Sequence, residues 1–227
     1  VFNIAPDVNV RLHQCQAAST NTPFSYNTME LTVSGLWLLI TCMTNVRRYY
    51  EGGWYFFTVC THKRQKVLTH PDVLAALRSA VKETMRTHPF EIEAWVVMPD
   101  HLHCVLRIVD TDVPVRWSKI KALTSKALPE FSAKNYSQHY KNKSRQKRQL
   151  SSLWQKGYWE HTIRNEKELY MYLLYCCYNP VKHRYVSNAT EWPYSTLNRY
   201  LRNNRYPPDW AYINESWVDS NLAAYDP

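Results

Sequence analysis

The chain has 227 residues, a net charge of +9, nine Trp and seventeen Tyr, but only four Gly. That length holds one domain with extensions or at most two small ones, and a 45% hydrophobic content excludes a disordered chain. One net negative charge on residues 1–45 and four on 207–227 leave +14 on 46–206, so the body is expected to meet a polyanion, nucleic acid first.

The six cysteines contain no Cys-x-x-Cys pair, and Cys176 and Cys177 are adjacent. This argues against a zinc knuckle and for a reduced, cytoplasmic setting. The apolar run Leu31–Met43 is shorter than the roughly 20 residues of a membrane span, and no basic lead-in marks a signal peptide. Chain character changes at Met43. Residues 1–42 read as an N-terminal extension, of the kind an early start codon would add, with the domain at 43–206. Residues 207–227 read as an acidic C-terminal tail.

Trp54–Cys60 is aromatic and β-branched, a buried strand opened by Gly52-Gly53. Pro71–Arg86 carries Val73, Leu74, Leu77, Val81 and Met85 at helical spacing and closes before Pro89. Phe90–Met98 and His101–Val109 form two strands across a Pro99-Asp100 turn. Pro114–Leu128 is a second helix with Pro at its start. Residues 131–159 hold no acid; the stretch at about 131–150 reads as a basic insertion. An edge strand, Trp154–Ile163, precedes a helix from Glu166 to Asn179, opened by a capping box from Asn165 to Glu168 and stopped by Pro180. The order βαββα–loop–βα fits an α+β, ferredoxin-like antiparallel sheet with helices packed on one face.

Strand alternation puts His101 and His103 on one face and Leu102 on the other. Two imidazoles side by side can hold a divalent cation, although an isolated His-x-His is more often a hydrogen-bonding pair. On the late helix, at about 100° per residue, Leu169, Tyr172, Leu173, Cys176 and Cys177 form one apolar arc. Glu168, Tyr172, Tyr175 and Asn179 border it. Tyr175 and Asn179 are neighbours one turn apart, able to present a phenol and an amide oxygen together. The spacing alone also allows a core-edge aromatic and a plain helix-end residue.

Met98-Pro99-Asp100-His101-Leu102-His103 resembles the His-hydrophobe-His motif of the HUH nucleases. Trp159-Glu160-His161, Asn179-Pro180-Val181-Lys182-His183 and Trp192-Pro193-Tyr194-Ser195 resemble the REP-associated tyrosine transposases, bacterial single-tyrosine enzymes. The likeness runs from about Arg47 to about Tyr200 with the motifs in order. It implies a metal-dependent cut of single-stranded DNA carrying hairpins of the repetitive extragenic palindrome kind, through a covalent 5′-phosphotyrosine. It implies Mg²⁺ or Mn²⁺ on His101, His103 and Asn179, where many insertion-sequence relatives have Gln, and Tyr175 as nucleophile. Tyr172 and Tyr178 are competing tyrosines; Tyr178 is expected to face solvent and Tyr172 to pack. A bacterial, nucleoid-associated monomer or homodimer is expected. Lys63, Arg64, Lys119, Lys121, Lys126, Lys143, Arg145 and Arg148 are candidate DNA contacts. The rival readings are a non-catalytic single-stranded nucleic-acid binder, which would need exposed strand aromatics such as Trp54, Tyr55 and Phe57, and a zinc hydrolase, for which no His-Glu-x-x-His arrangement exists.

Overall fold

The computed structural model describes residues 52–129 and 152–217; the extension 1–42, the basic insertion and residues 218–227 lie outside them. Strands β1 (Gly53–Cys60), β2 (Glu91–Val97), β3 (His101–Ile108) and β4 (Trp159–Ile163) form one sheet in the order β2-β3-β1-β4. Every neighbouring pair is antiparallel. Helix α1 (Pro71–Thr87) joins β1 to β2, and α2 (Val113–Lys126) follows β3. Each crossover straddles one strand, which gives the ferredoxin-like arrangement expected.

Period-two alternation divides the sheet between two cores. Tyr55, Phe57, Val59, Leu102, Cys104, Leu106 and Ile108 pack with Val73, Leu77 and Val81 of α1 and Val113, Trp117 and Ile120 of α2. Phe56, Ala94, Val96, Met98 and Val105 face the other way, against α3 (Glu166–Lys182). Helices on one face therefore describes α1 and α2 alone; α3 covers the opposite face, the one that carries the histidines. Both faces of the central strands are lined with large apolar side chains, so both have to be covered. Tyr55 and Phe57 are fully buried as a result, not presented as the stacking platform a passive binder would need.

Three boundaries differ from expectation. β4 begins at Trp159, and Trp154 lies outside it, joined to Thr61 by an isolated bridge. Helix α3 runs through Pro180 to Lys182. It also buries two faces: Leu174, Cys177 and Val181 pack with Leu197 and Tyr200 of α4 (Leu197–Arg202) and with Tyr206, Trp210 and Ile213. Trp210 and Ile213 are fully buried, so the packed domain extends past 206 into the segment read as an acidic tail. The acids there that are described, Asp209 and Glu215, stay exposed.

The segment Tyr194–Thr196 runs along the β2 edge. Val97 N donates to Tyr194 O, Thr196 N to Trp95 O, and Trp192 Nε1 to Val97 O. This covers an otherwise open sheet edge and ties the chain after α3 back onto the sheet. Among the described residues, no helix is long and apolar enough to cross a membrane.

Candidate active site

The β2–β3 turn fixes the first histidine. Thr61, just past β1, donates both its N–H and its hydroxyl to Asp100 O, each at 2.9 Å. His101 then opens β3, and its Nδ1 lies 2.7 Å from Asp100 Oδ1. The other Asp100 oxygen is 2.9 Å from Arg64 Nε. Register fixes the second histidine. Thr58 is the cross-strand partner of His103, and its Oγ1 lies 2.9 Å from His103 Nδ1. Each imidazole thus engages a partner through Nδ1 and leaves Nε2 available, which is how metal-binding histidines are held by their surroundings.

Both rings are buried, and their centroids are 4.7 Å apart. Burial lowers the His101 pKa, with Asp100 opposing, and pushes that of His103 well below the usual value. Both are neutral near pH 7, the form that donates a lone pair to a metal.

Helix α3 delivers the rest. Its N-cap is the expected one: Asn165 Oδ1 accepts from Glu168 N at 2.8 Å. The reciprocal half of the capping box is replaced. The Glu168 carboxylate accepts from Arg164 N and Nε and meets His161 Nε2 at 3.2 Å. That anchors the first turn to β4. Farther along, the Tyr175 ring lies 5.2 Å from the His103 ring and 5.7 Å from Phe56.

Asn179 is fully buried one turn beyond. It lies near enough to the Tyr175 phenol to pull its pKa down against burial, which raises it. Yet neither polar atom of the Asn179 side chain makes a hydrogen bond of ordinary geometry. A buried amide left unpaired costs about 1–3 kcal/mol, so this one calls for a partner. No group of three His, Cys, Asp or Glu side chains among the described residues could hold a metal. Two imidazoles and an amide oxygen are a donor set of a different kind, and the orphaned amide fits it.

Residues 50–175 match the model of the family described as "Transposase IS200 like". The REP-associated tyrosine transposase of Escherichia coli K12 is 37% identical over 173 residues, 74% of this chain and 92% of the relative. A Haemophilus influenzae protein assigned to the same group is 40% identical over 173 residues, 74% of this chain and 94% of the relative. The chain belongs to the REP-associated tyrosine transposases. A solved structure from the group, bound to a REP hairpin, superposes with a TM-score of 0.61 at 36% identity, covering 75% of this chain and 93% of that one. The transposase is therefore a DNA-cleaving and rejoining enzyme, not a passive binder or a zinc hydrolase.

Of the residues singled out in the transposase sequence, His101, His103 and Tyr175 come together, and Asn179 lies beside Tyr175. The competing tyrosines diverge. Tyr172 stacks on Phe56 at 4.6 Å and meets the His161 ring at 5.0 Å, and burial pushes its phenol up to about 12. Tyr178 does not face solvent; it packs with the α4 and Trp210 cluster on the far side of α3. Helical periodicity predicts one buried arc on α3, and the C-terminal segment covers a second.

The basic candidates scatter. Arg64 is tied to Asp100 and belongs to the His101 support; Lys63 beside it is exposed at a left-handed φ of 55°. Lys119, Lys121 and Lys126 sit on α2, across the sheet from the histidines. Lys119 Nζ donates to Thr87 Oγ1. Lys121 donates to the carbonyls of Gln155 and Gly157, and burial lowers its pKa to about 8. These are structural contacts. Lys143, Arg145 and Arg148 lie outside the described residues. Thr58 and Asp100 escaped notice as site residues. Asp100 stood inside the quoted motif, but the Thr58 contact depends on a register that no local pattern reveals.

Proposed function

We propose that this transposase cuts and rejoins single-stranded DNA carrying hairpins of the repetitive extragenic palindrome kind, using Tyr175 as nucleophile. The observation that carries the reading is the meeting of Tyr175 with the His101–His103 pair, from elements more than 70 residues apart in sequence. The Tyr175 ring meets the imidazole of His103, whereas Tyr172 meets His161.

His101, His103 and Asn179 would hold Mg²⁺ or Mn²⁺. When bound, the ion polarises the scissile phosphate and offsets its charge. The chain supplies the remainder. Asp100 and Thr58 hold the imidazoles in one tautomer and orientation. Phe56 packs against His103 and Tyr175 and walls the site from the sheet side. The Tyr175 oxygen forms a bond to phosphorus as the bond from phosphorus to the 3′ oxygen breaks. The phenol proton passes to water, and the 3′ oxygen takes one. Because the phosphotyrosine retains the ester, a later 3′-hydroxyl can rejoin the strand without an external energy source. Exposed Trp159 and Tyr185 can stack unpaired bases on either side.

The test is incubation of the full chain with a hairpin-bearing single-stranded oligonucleotide and Mg²⁺, followed by denaturing electrophoresis. The wild type should give a protein–DNA adduct that survives denaturation. Tyr175→Phe should bind the DNA but give none, while Tyr172→Phe and Tyr178→Phe retain it. Adduct formation by Tyr175→Phe would overturn the nucleophile, and undiminished cleavage in EDTA would overturn the metal.

A further inference from the structure

The motif Asn179-Pro180-Val181-Lys182-His183 contributes one residue to the site described above, Asn179. Lys182 is seven residues beyond Tyr175 on the same helix. At about 100° per residue that is within about 20° of two full turns, so the two share a face. They do so only because α3 continues through Pro180. Helical side chains lean toward the N-terminus, which sends the long lysine stem back along the helix toward Tyr175. Its Nζ lies 5.0 Å from the centre of the Tyr175 ring.

Burial is all that perturbs this ammonium, and it lowers its pKa; no carboxylate raises it in compensation. Its charge also acts on His103 and His183. A partly buried cation, without an acidic partner among the described residues, stands over the nucleophile's ring and within electrostatic reach of His103.

We infer that Lys182 is a catalytic residue that binds a non-bridging oxygen of the scissile phosphate and offsets the charge of the Tyr175 oxygen as it attacks. This rests on the assignment of Tyr175 as nucleophile. As the oxygen–phosphorus bond forms and the bond to the 3′ oxygen breaks, negative charge spreads over the phosphoryl oxygens. A preplaced ammonium stabilises that charge more than it does the ground state. Lys182 stays protonated throughout, and the phenol proton leaves to water.

The experiment compares wild type, Lys182→Met and Lys182→Arg on the hairpin oligonucleotide with Mg²⁺. It measures DNA affinity, the single-turnover rate of adduct formation and the melting temperature. Lys182→Met should slow the adduct about 100-fold while weakening DNA binding less than about tenfold, since one phosphate contact among several is lost. Lys182→Arg, which keeps the charge, should recover most of the rate. A Lys182→Met rate within threefold of wild type overturns the role. So does a Lys182→Arg variant as slow as Lys182→Met at an unchanged melting temperature. If Lys182→Met fails to fold, Lys182→Gln, with a long polar stem and no charge, is judged by the same criteria. A wild type that forms no adduct overturns the tyrosine assignment and the lysine's role together; a normal wild type with an unimpaired Lys182→Met overturns the lysine alone.

Discussion

Asp100→Ala separates the support of the proposed metal site from the stability of the fold. Asp100 makes two contacts: 2.7 Å to His101 Nδ1 and 2.9 Å to Arg64 Nε. Its carboxyl is raised by burial, but the His101 contact and the nearby charges outweigh that and hold the pKa below the usual value, so it is ionised at neutral pH. Removing the carboxylate frees the His101 proton to move to Nε2, which would take away the lone pair that the proposed metal would use. Loss of such a support typically weakens metal binding about 10- to 100-fold, or roughly 1.4–2.7 kcal/mol. The stability change should be smaller. Arg64 is about half exposed, and ion pairs of that kind contribute about 0–1 kcal/mol. The carbonyl of residue 100, which pins the turn to Thr61, is untouched. Titration of Mn²⁺ followed by the electron paramagnetic resonance of the free ion should show the loss in Asp100→Ala and less of it in Asp100→Asn, whose amide oxygen still accepts from Nδ1. An Mn²⁺ affinity unchanged within twofold in Asp100→Ala would refute the supporting role.

Thr58→Val removes the hydroxyl at His103 Nδ1 while keeping shape, and should cut Mn²⁺ affinity about tenfold in the same titration without lowering the melting temperature. Arg116 is fully buried, with two contacts of 2.7 Å to Asp110 and one of 2.7 Å to Pro89 O. Arg116→Met should destabilise by about 2–3 kcal/mol in urea unfolding, with Mn²⁺ affinity preserved because α2 lies across the sheet from the histidines. A chain ended after Tyr206 loses Trp210 and Ile213 from the outer face of α3. Removing a buried Trp alone costs about 3–5 kcal/mol, so thermal unfolding should show a large drop or no cooperative transition.

The first half of the domain could be read from local pattern because its elements obey one period each. β1, β3 and α1 are long, regularly patterned and bounded by Gly or Pro. Alternation along β3 was enough to place both histidines on one face, opposite Leu102 and Cys104. What it could not supply was cross-strand register, which brings Thr58 and Phe56 of β1 to His103. The second half is set by tertiary packing. An apolar arc says that a helix face is buried, not which side of a sheet receives it, and α3 carries a second arc whose cover comes from Leu197 to Ile213.

The end of α3 shows how far a local rule can mislead. Proline is costly in a helix because it loses one N–H and crowds the carbonyl four residues back, so Pro180 reads as a stop. At the third residue from the end the damage is confined to the last turn. The helix then closes with a Schellman motif: Tyr185 N donates to Pro180 O and Arg184 N to Val181 O, with Arg184 at a left-handed φ of 58°. Glycine is the residue that normally signals this closure, and none stands there, so the sequence carries no such mark. A non-glycine residue in that conformation costs about 1–2 kcal/mol. Stopping at Asn179 would avoid that strain and would leave Lys182 and His183 away from the histidines. The extra turn instead places the lysine over Tyr175 and the His183 ring 5.3 Å from His101. A strained helix end that serves packing alone would have no reason to gather a cation, an imidazole and the proposed nucleophile at one spot. The functional demand on this turn is therefore a better account of its strain than any apolar surface it buries.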